Sequence, residues 1–254
     1  MSKPDVKTDE KKQHFDDIYV AENPVPFKER ILDALEYVSD NFNRQTFDRL
    51  VLPWAQQKAD TAGILNFVDL AGCFGNTTMA TLNGMDYDAI RNNWRSPEAA
   101  ASVDQPRRFP AHVTGIDISA NALAYGKSAG IYDETIEADL NKPAPETRPE
   151  LDKALQQADI LISTAALIYL EPPAIEKILD AFASKNEEGY MLVNFLNPFA
   201  LERPTPPSGC CWSGSNSSAA WLHATVACRS WNGKTTPAKT GPCWKSGYCA
   251  AKAE

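Results

Sequence analysis

Three acids, Asp69, Asp117 and Asp139, each close a short apolar run and stand before small or turn-forming residues. A carboxylate in such a place can accept from both hydroxyls of a ribose diol or from the exocyclic amine of adenine. Asp117, after the second run, suits the ribose. Asp139, after the third, suits the amine, with the amide of Leu140 available to a ring nitrogen. Asp69 opens the stretch Leu70-Ala71-Gly72-Cys73-Phe74-Gly75-Asn76, where Gly72 and Gly75 leave no Cβ between the backbone and a cofactor or helix. Taken singly, each acid reads as well as a helix cap or a solvated loop residue, and the glycine stretch as an ordinary strand-to-helix turn. Taken together they fit an adenosine-bearing ligand that needs no phosphate group.

The elements that must position these acids follow from the hydrophobic pattern. Apolar runs over 64–70, 113–117, 135–140, 160–164 and 190–195 read as strands, the fourth nearly continuous as a central parallel strand should be. Between them lie helical patterns: one opened by Asn76-Thr77-Thr78 as N-cap residues, one carrying Tyr87, Ile90 and Trp94, and others over 120–129, 151–158 and 172–182. The stretch 96–110 reads as loop. Strands alternating with helices predict an α/β fold with a doubly wound, mostly parallel sheet, whose strand ends share one crevice. Ahead of it, Phe27, Ile31, Leu35 and Val38, then Phe47, Leu50, Val51 and Trp54, recur at helical spacing. Residues 1–60 are therefore a lead and helical cover, and 61–200 the ligand-binding domain.

Residues 201–254 change character. Ser, Thr, Gly, Trp and Cys dominate, periodicity vanishes, and no strand pattern survives. This tail is expected to be disordered or read out of frame, leaving the strand at 190–195 as an open sheet edge.

Composition excludes several classes. A formal net charge of −8 over 254 residues offers no basic surface for phosphate backbones, so no nucleic-acid partner is expected. No apolar run is long enough to span a bilayer, and Met1 to Lys12 is polar and lysine-rich, so a cytoplasmic protein is expected. There is no G-x-G-x-x-G, no G-x-x-x-x-G-K-[ST] and no G-x-S-x-G. The three histidines are scattered, and Cys73, Cys210, Cys211, Cys228, Cys243 and Cys249 form no C-x-x-C pair, so no metal site is expected.

Four ordered segments, Phe67 to Thr78, Thr114 to Ser119, Glu137 to Leu140 and Asp159 to Thr164, resemble the successive motifs of class I S-adenosylmethionine-dependent methyltransferases. The resemblance implies a Rossmann-like fold and S-adenosyl-L-methionine as cofactor. It implies that Asp69, Leu70, Ala71, Gly72, Gly75 and Asn76 pass by the methionine part. Asp117 would hold the ribose and Asp139 the adenine amine, with Ile118 and Leu140 packing on the ring and Ser163 and Thr164 lining the route to the methyl group. Asp16, Tyr19 and Tyr169 are candidates for the pocket of a small-molecule acceptor; no residue stands out as a general base. Two other readings stay open, an NAD(P)-dependent oxidoreductase and a catalytically degenerate adenosine-binding protein. The family's D-x-G-x-G-x-G loop is here Asp69-x-Ala71-x-Cys73-x-Gly75, and Ala71 is expected to need a negative φ where glycine does not. The family's closing strands have no visible counterpart after Leu201.

Overall fold

The computed structural model describes residues 16–184, 188–196, 213–216 and 223–230. The strands are β1 (Leu65–Leu70), β2 (Ala111–Asp117), β3 (Glu134–Glu137), β4 (Ile160–Thr164), β5 (Gly189–Leu196), β6 (Ser213–Asn216) and β7 (His223–Ser230), in the sheet order β3-β2-β1-β4-β5-β7-β6. The first five are parallel, β7 runs antiparallel to β5, and β6 antiparallel to β7. The sequence runs outward from β1 to β3 and then restarts on the other side of β1 at β4. That reversal opens a crevice at the carboxyl ends of β1 and β4.

Strands β6 and β7 fall within the stretch expected to be disordered or out of frame. β7 pairs with β5 from Gly189 opposite Ser230 to Leu196 opposite His223, so β5 has a neighbour on the side where an open edge was expected. Their backbone hydrogen bonds need no apolar period, which is why sequence pattern misses them. The remainder of 201–254 lies outside the described residues.

Because successive strand residues face opposite sides, β1 feeds two cores. Leu65 and Phe67 pack with Phe47, Phe74, Trp94 and Ile162 on one side; Val68 and Leu70 pack with Ile116, Leu155, Leu161 and Phe182 on the other. The first side is closed by the helical cover: α1 (Asp16–Tyr19), α2 (Val25–Phe27) running into a wide turn at Lys28–Asp33, α3 (Ser39–Leu50) and α4 (Leu52–Ala62). The single pattern through Phe47 and Trp54 breaks at Val51 because Pro53 lacks an N–H and sits in a first turn, starting α4 afresh. Likewise Leu35 follows the turn and is half exposed rather than on a core stripe.

After β1 come α5 (Asn76–Thr81), α6 (Tyr87–Asn93) and α7 (Pro97–Ala100), the last a short helix inside the stretch read as loop, capped by Ser96, which accepts from the Ala99 amide. This insert is tied to the core by Trp94, whose Nε1 donates to the Tyr125 hydroxyl at 2.9 Å, which in turn donates to the Ala100 carbonyl at 2.9 Å. The far side carries α9 (Arg148–Gln157) and α10 (Pro172–Ala183), with α8 (Ala120–Ser128) between β2 and β3 ending at Gly130. No helix among the described residues is long and apolar enough to cross a membrane.

Candidate functional site

The loop after β1 is shaped from below. Asp69 is 1% exposed; its Oδ2 accepts from the Thr78 hydroxyl at 2.6 Å and the Tyr132 hydroxyl at 3.2 Å. The Tyr132 hydroxyl also lies 3.2 Å from the Gly72 carbonyl, and its ring fills the space where Gly115 and Gly126 lack a side chain. A Cβ on Gly72 would meet the Tyr132 hydroxyl at 2.5 Å and Asp69 Cγ at 2.6 Å; one on Gly75 would meet Ile131 at 2.7 Å. Both glycines are therefore needed for close approach by the protein's own side chains. Burial pushes the Asp69 carboxyl up to about 7, against the bonds from Thr78 and Tyr132.

Above this support the backbone turns sharply. Ala71 has φ 53°, Cys73 φ 48° and Gly75 φ 85°, so the expectation of a negative φ at Ala71 is overturned. Left-handed geometry at a residue with a Cβ costs about 1–2 kcal/mol. The packing of Tyr132 and Asp69 and the anchor of the Cys73 amide on Asp117 hold it. Gly75 is the N-cap of α5, and no side chain caps that helix, a correction for Asn76. Asn76 instead donates to Asp40 Oδ2 at 2.8 Å.

Asp117 closes β2. Its Oδ2 accepts from the Cys73 amide at 2.8 Å and its Oδ1 from the Ser119 amide at 2.8 Å. Each oxygen keeps a second lone pair, so the group can still accept from a diol. Asp117 is 8% exposed, and burial raises its carboxyl above the usual range despite these bonds. Ile118 beside it is 67% exposed. The Ala138 amide donates to the Asp117 carbonyl at 2.9 Å, bringing Asp139 to the neighbouring strand end. Asp139 is exposed and accepts from the Asn141 amide at 2.9 Å, while Leu140 is buried. Asn141 in turn donates to the Tyr169 carbonyl at 3.0 Å, setting that 58% exposed ring at the same edge.

Tyr19 is fastened to the β2 end through its carbonyl, which accepts from the Ser119 hydroxyl, and its ring lies 6.2 Å from that of Phe27. Asn121 donates to the carbonyl of the exposed Val20 at 2.7 Å. Asp16 opens α1; its side chain lies outside the described residues. Strand alternation separates Ser163 from Thr164. Thr164 faces the cover, where Asn43 Nδ2 donates to its hydroxyl at 2.6 Å; Ser163 faces the other core, 1% exposed, with no hydrogen-bond partner for its Oγ among the described residues. Leu70 points into that second core too.

Sequence reasoning missed the strongest polar cluster. Asp40, 2% exposed on α3, accepts from Asn76 on Oδ2 and from Thr77 on Oδ1 at 3.1 Å. Thr77 and Thr164 hydroxyls are 2.8 Å apart, and Asn194 donates to Asn43 at 3.3 Å. A hydroxyl has one proton, so Thr77 spends its own on the carboxylate and accepts from Thr164. The whole chain, Asn194 to Asn43 to Thr164 to Thr77, points its donors at Asp40. Burial raises that carboxyl to about 6, against the Asn76 and Thr77 bonds. Tyr37, next to it, and Tyr19 have hydroxyls raised by burial above the ordinary range; both feel Tyr169 and Cys73. Nothing local marks Asp40 or Tyr132, since their partners lie tens of residues away in the chain.

A parallel core, a strand reversal and acids at adjacent carboxyl ends decide the architecture. The fold is Rossmann-like.

Among solved structures, the chain is similar in shape to methyltransferases. It aligns with the citrinin polyketide synthase CMeT domain over 79% of its own length and 57% of that chain, at 12% identity and TM-score 0.44. With TehB from Haemophilus influenzae the shares are 75% and 66%, at 12% identity and TM-score 0.39. With a SAM-dependent methyltransferase from Aquifex aeolicus they are 75% and 98%, at 11% identity and TM-score 0.36. The chain spans less than two thirds of the first two. No protein-family model and no curated protein matches the sequence. Among the described residues no group of His, Cys, Asp and Glu is disposed to hold a metal ion.

Proposed function

We propose that this chain transfers a methyl group from S-adenosylmethionine to a small-molecule acceptor. The observation that supports the reading is the pairing of Asp117 and Asp139 at adjacent strand ends with the exposed Ile118 beside Asp117. An apolar side chain left in water beside a carboxylate gains about 25 cal/mol per Å² when a flat ring covers it. Asp117 would hold the ribose, Asp139 the amine, Ile118 and Leu140 the ring, and the left-handed turn from Ala71 to Gly75 the amino-acid part. When bound, the cofactor supplies an activated sulfonium methyl. The chain's own work is to orient the acceptor and exclude water, with Tyr19, Tyr169 and Asp16 as the candidate residues of its pocket.

A nicotinamide dinucleotide is disfavoured by Asp40. Its pyrophosphate would lie at the start of the helix after the loop, where Asn76 and Thr77 are turned onto a buried carboxylate. Calorimetric titration of the full chain with S-adenosylmethionine, S-adenosylhomocysteine and NADH tests this: the first two should bind and NADH should not. NADH binding without the sulfur nucleosides overturns it.

A further inference from the structure

The hydroxyls between the helical cover and β4 can be followed proton by proton. Thr164 Oγ1 meets two partners, Asn43 Nδ2 at 2.6 Å and the Thr77 hydroxyl at 2.8 Å, and Thr77 meets Asp40 Oδ1 at 3.1 Å. A hydroxyl has one proton and two lone pairs, so two partners leave Thr164 one free position. Among the described residues nothing takes it, and Thr164 is half-buried where β4 ends at the strand reversal. Asn43 donates to Thr164 with its Nδ2 while its Oδ1 accepts from Asn194 at 3.3 Å, so only the Thr77 contact can change direction. With Asp40 ionised, Thr77 donates to the carboxylate, Thr164 donates to Thr77, and the free position is a lone pair.

A proton arriving at Asp40 has one place to go. Its Oδ2 faces the Asn76 amide nitrogen at 2.8 Å, which only donates, whereas Oδ1 faces a hydroxyl that can turn round. The proton settles on Oδ1 and is donated to Thr77, and Thr77 then donates to Thr164. Both Thr164 lone pairs are now occupied, and its own proton moves to the free position. We propose that Asp40 is a positioning residue: through Thr77, its proton state sets whether Thr164 turns a lone pair or an O–H donor toward the crevice. Burial raises this carboxyl to about 6, which puts the change close to neutral pH. The charge of Asp40 reaches Tyr37 on the turn before α3, Asp69 at the end of β1 and Cys73 in the glycine turn. On α3 itself Arg44 pairs with Asp48 at 3.6 Å, and on α4 Lys58 pairs with Asp159 at 2.9 Å. Neither α5 nor β4 carries a titratable residue, and Tyr190 of β5 packs on Trp54. In the methyltransferase reading, on which this consequence rests, Thr164 lines the route to the methyl group. The chain then holds an acceptor by its N–H or O–H above that pH, and by a carbonyl oxygen or other lone pair below it.

The test follows the methyl groups of Thr77 and Thr164 by NMR in the full chain, labelled at its threonine methyl carbons, from about pH 5 to 8. Both should move together with one midpoint, at about 6. Asp40→Asn keeps the side chain's size and presents an N–H to Thr77 where the neutral acid presents an O–H. In that variant both methyls should stop moving and stay at their low-pH positions. Thr77→Val removes the connecting hydroxyl and leaves the charge on Asp40. Thr164 should then stop moving while the Asn76 side-chain amide still titrates. A Thr164 methyl that stays still in the unaltered chain overturns the proposal. So does one that moves as far in Thr77→Val, which would mean a field acting through space, or an Asp40→Asn variant fixed at the high-pH positions. Calorimetry with S-adenosylhomocysteine on the same samples separates the two readings: failure to bind overturns the methyltransferase reading and the acceptor consequence, while the methyl shifts still decide the relay.

Discussion

The two ends of the parallel sheet treat buried acids in opposite ways. At the amino end Asp159 is held by a cation: Lys58 Nζ lies 2.9 Å from its Oδ1, and the Asn66 amide donates to Oδ2 at 2.7 Å. Lys58 also donates to the Glu188 carbonyl at 3.1 Å and sits over the Trp54 ring. At the carboxyl end Asp40, Asp69 and Asp117 have, among the described residues, only neutral donors. An acid that merely joins two elements is compensated within the chain. Acids at the strand reversal that meet no cation are pushed by burial toward the neutral form. A groove of about 390 Å³ lies at the amino end, lined in part by Lys58, Asn66 and Asp159.

The comparison is broken most severely by pH. A carboxyl whose folded value lies above its unfolded one binds its proton more tightly when folded. Its contribution to stability is then lost as pH rises from 3.8 through the folded value of about 7 for Asp69 and about 6 for Asp40. For Asp69 the ceiling is on the order of 4 kcal/mol. Urea midpoints should therefore fall between about pH 4 and 7 and level off above. Asp133 acts the other way: burial alone would raise it, but Arg107 at 2.6 Å holds it below the usual range, so its share disappears only as pH falls through that lowered value. A flat profile from pH 4 to 7 would mean the carboxyl-end acids are not desolvated.

Next in size is Gly72→Val. Its Cβ falls on Tyr132 and Asp69, so overpacking should cost about 3 kcal/mol, read from the denaturation midpoint. A stable variant that has only lost cofactor affinity would show that Gly72 faces the ligand rather than Tyr132. Lys58→Met gives Asp159 the cation-free surroundings of the other end. Leaving that charge uncompensated should cost about 2 kcal/mol, reduced because Lys58 is partly exposed. S-adenosylhomocysteine affinity should not change, and a parallel loss of both would couple the two ends. The smallest effect is Asp117→Ala. Affinity for S-adenosylhomocysteine should weaken at least about tenfold, or about 1.4 kcal/mol, by calorimetry on folded protein. Unchanged affinity removes Asp117 from the site.

Much of the parallel core was legible because burial on both faces leaves unbroken apolar runs, as in Ile160 to Thr164, and because Gly130 stops α8 where periodicity ends. Strand β3 ends at Glu137, short of the expected Leu140, since the chain there turns into the Asp139 bend. The turn at Asn76 was legible as a helix start but not as a bond to Asp40, a contact made across 36 residues.

By itself, the sequence determined which acids stand at strand ends, since order along the chain and the parallel rule place Asp69, Asp117 and Asp139 on one edge. It also determined that the edge lacks a dinucleotide glycine pattern. Only the tertiary structure decided which way those acids face. Tyr132, wedged under Gly72, Gly115 and Gly126, takes Asp69 inward, and the Cys73 and Ser119 amides orient Asp117. It alone decided that Ala71 and Cys73 adopt a glycine-like backbone, because the energy holding a left-handed residue comes from neighbours distant in sequence. And it alone paired β7 with β5, where backbone hydrogen bonds, which any residue but proline can make, form the strand without the alternation that sequence reasoning looks for.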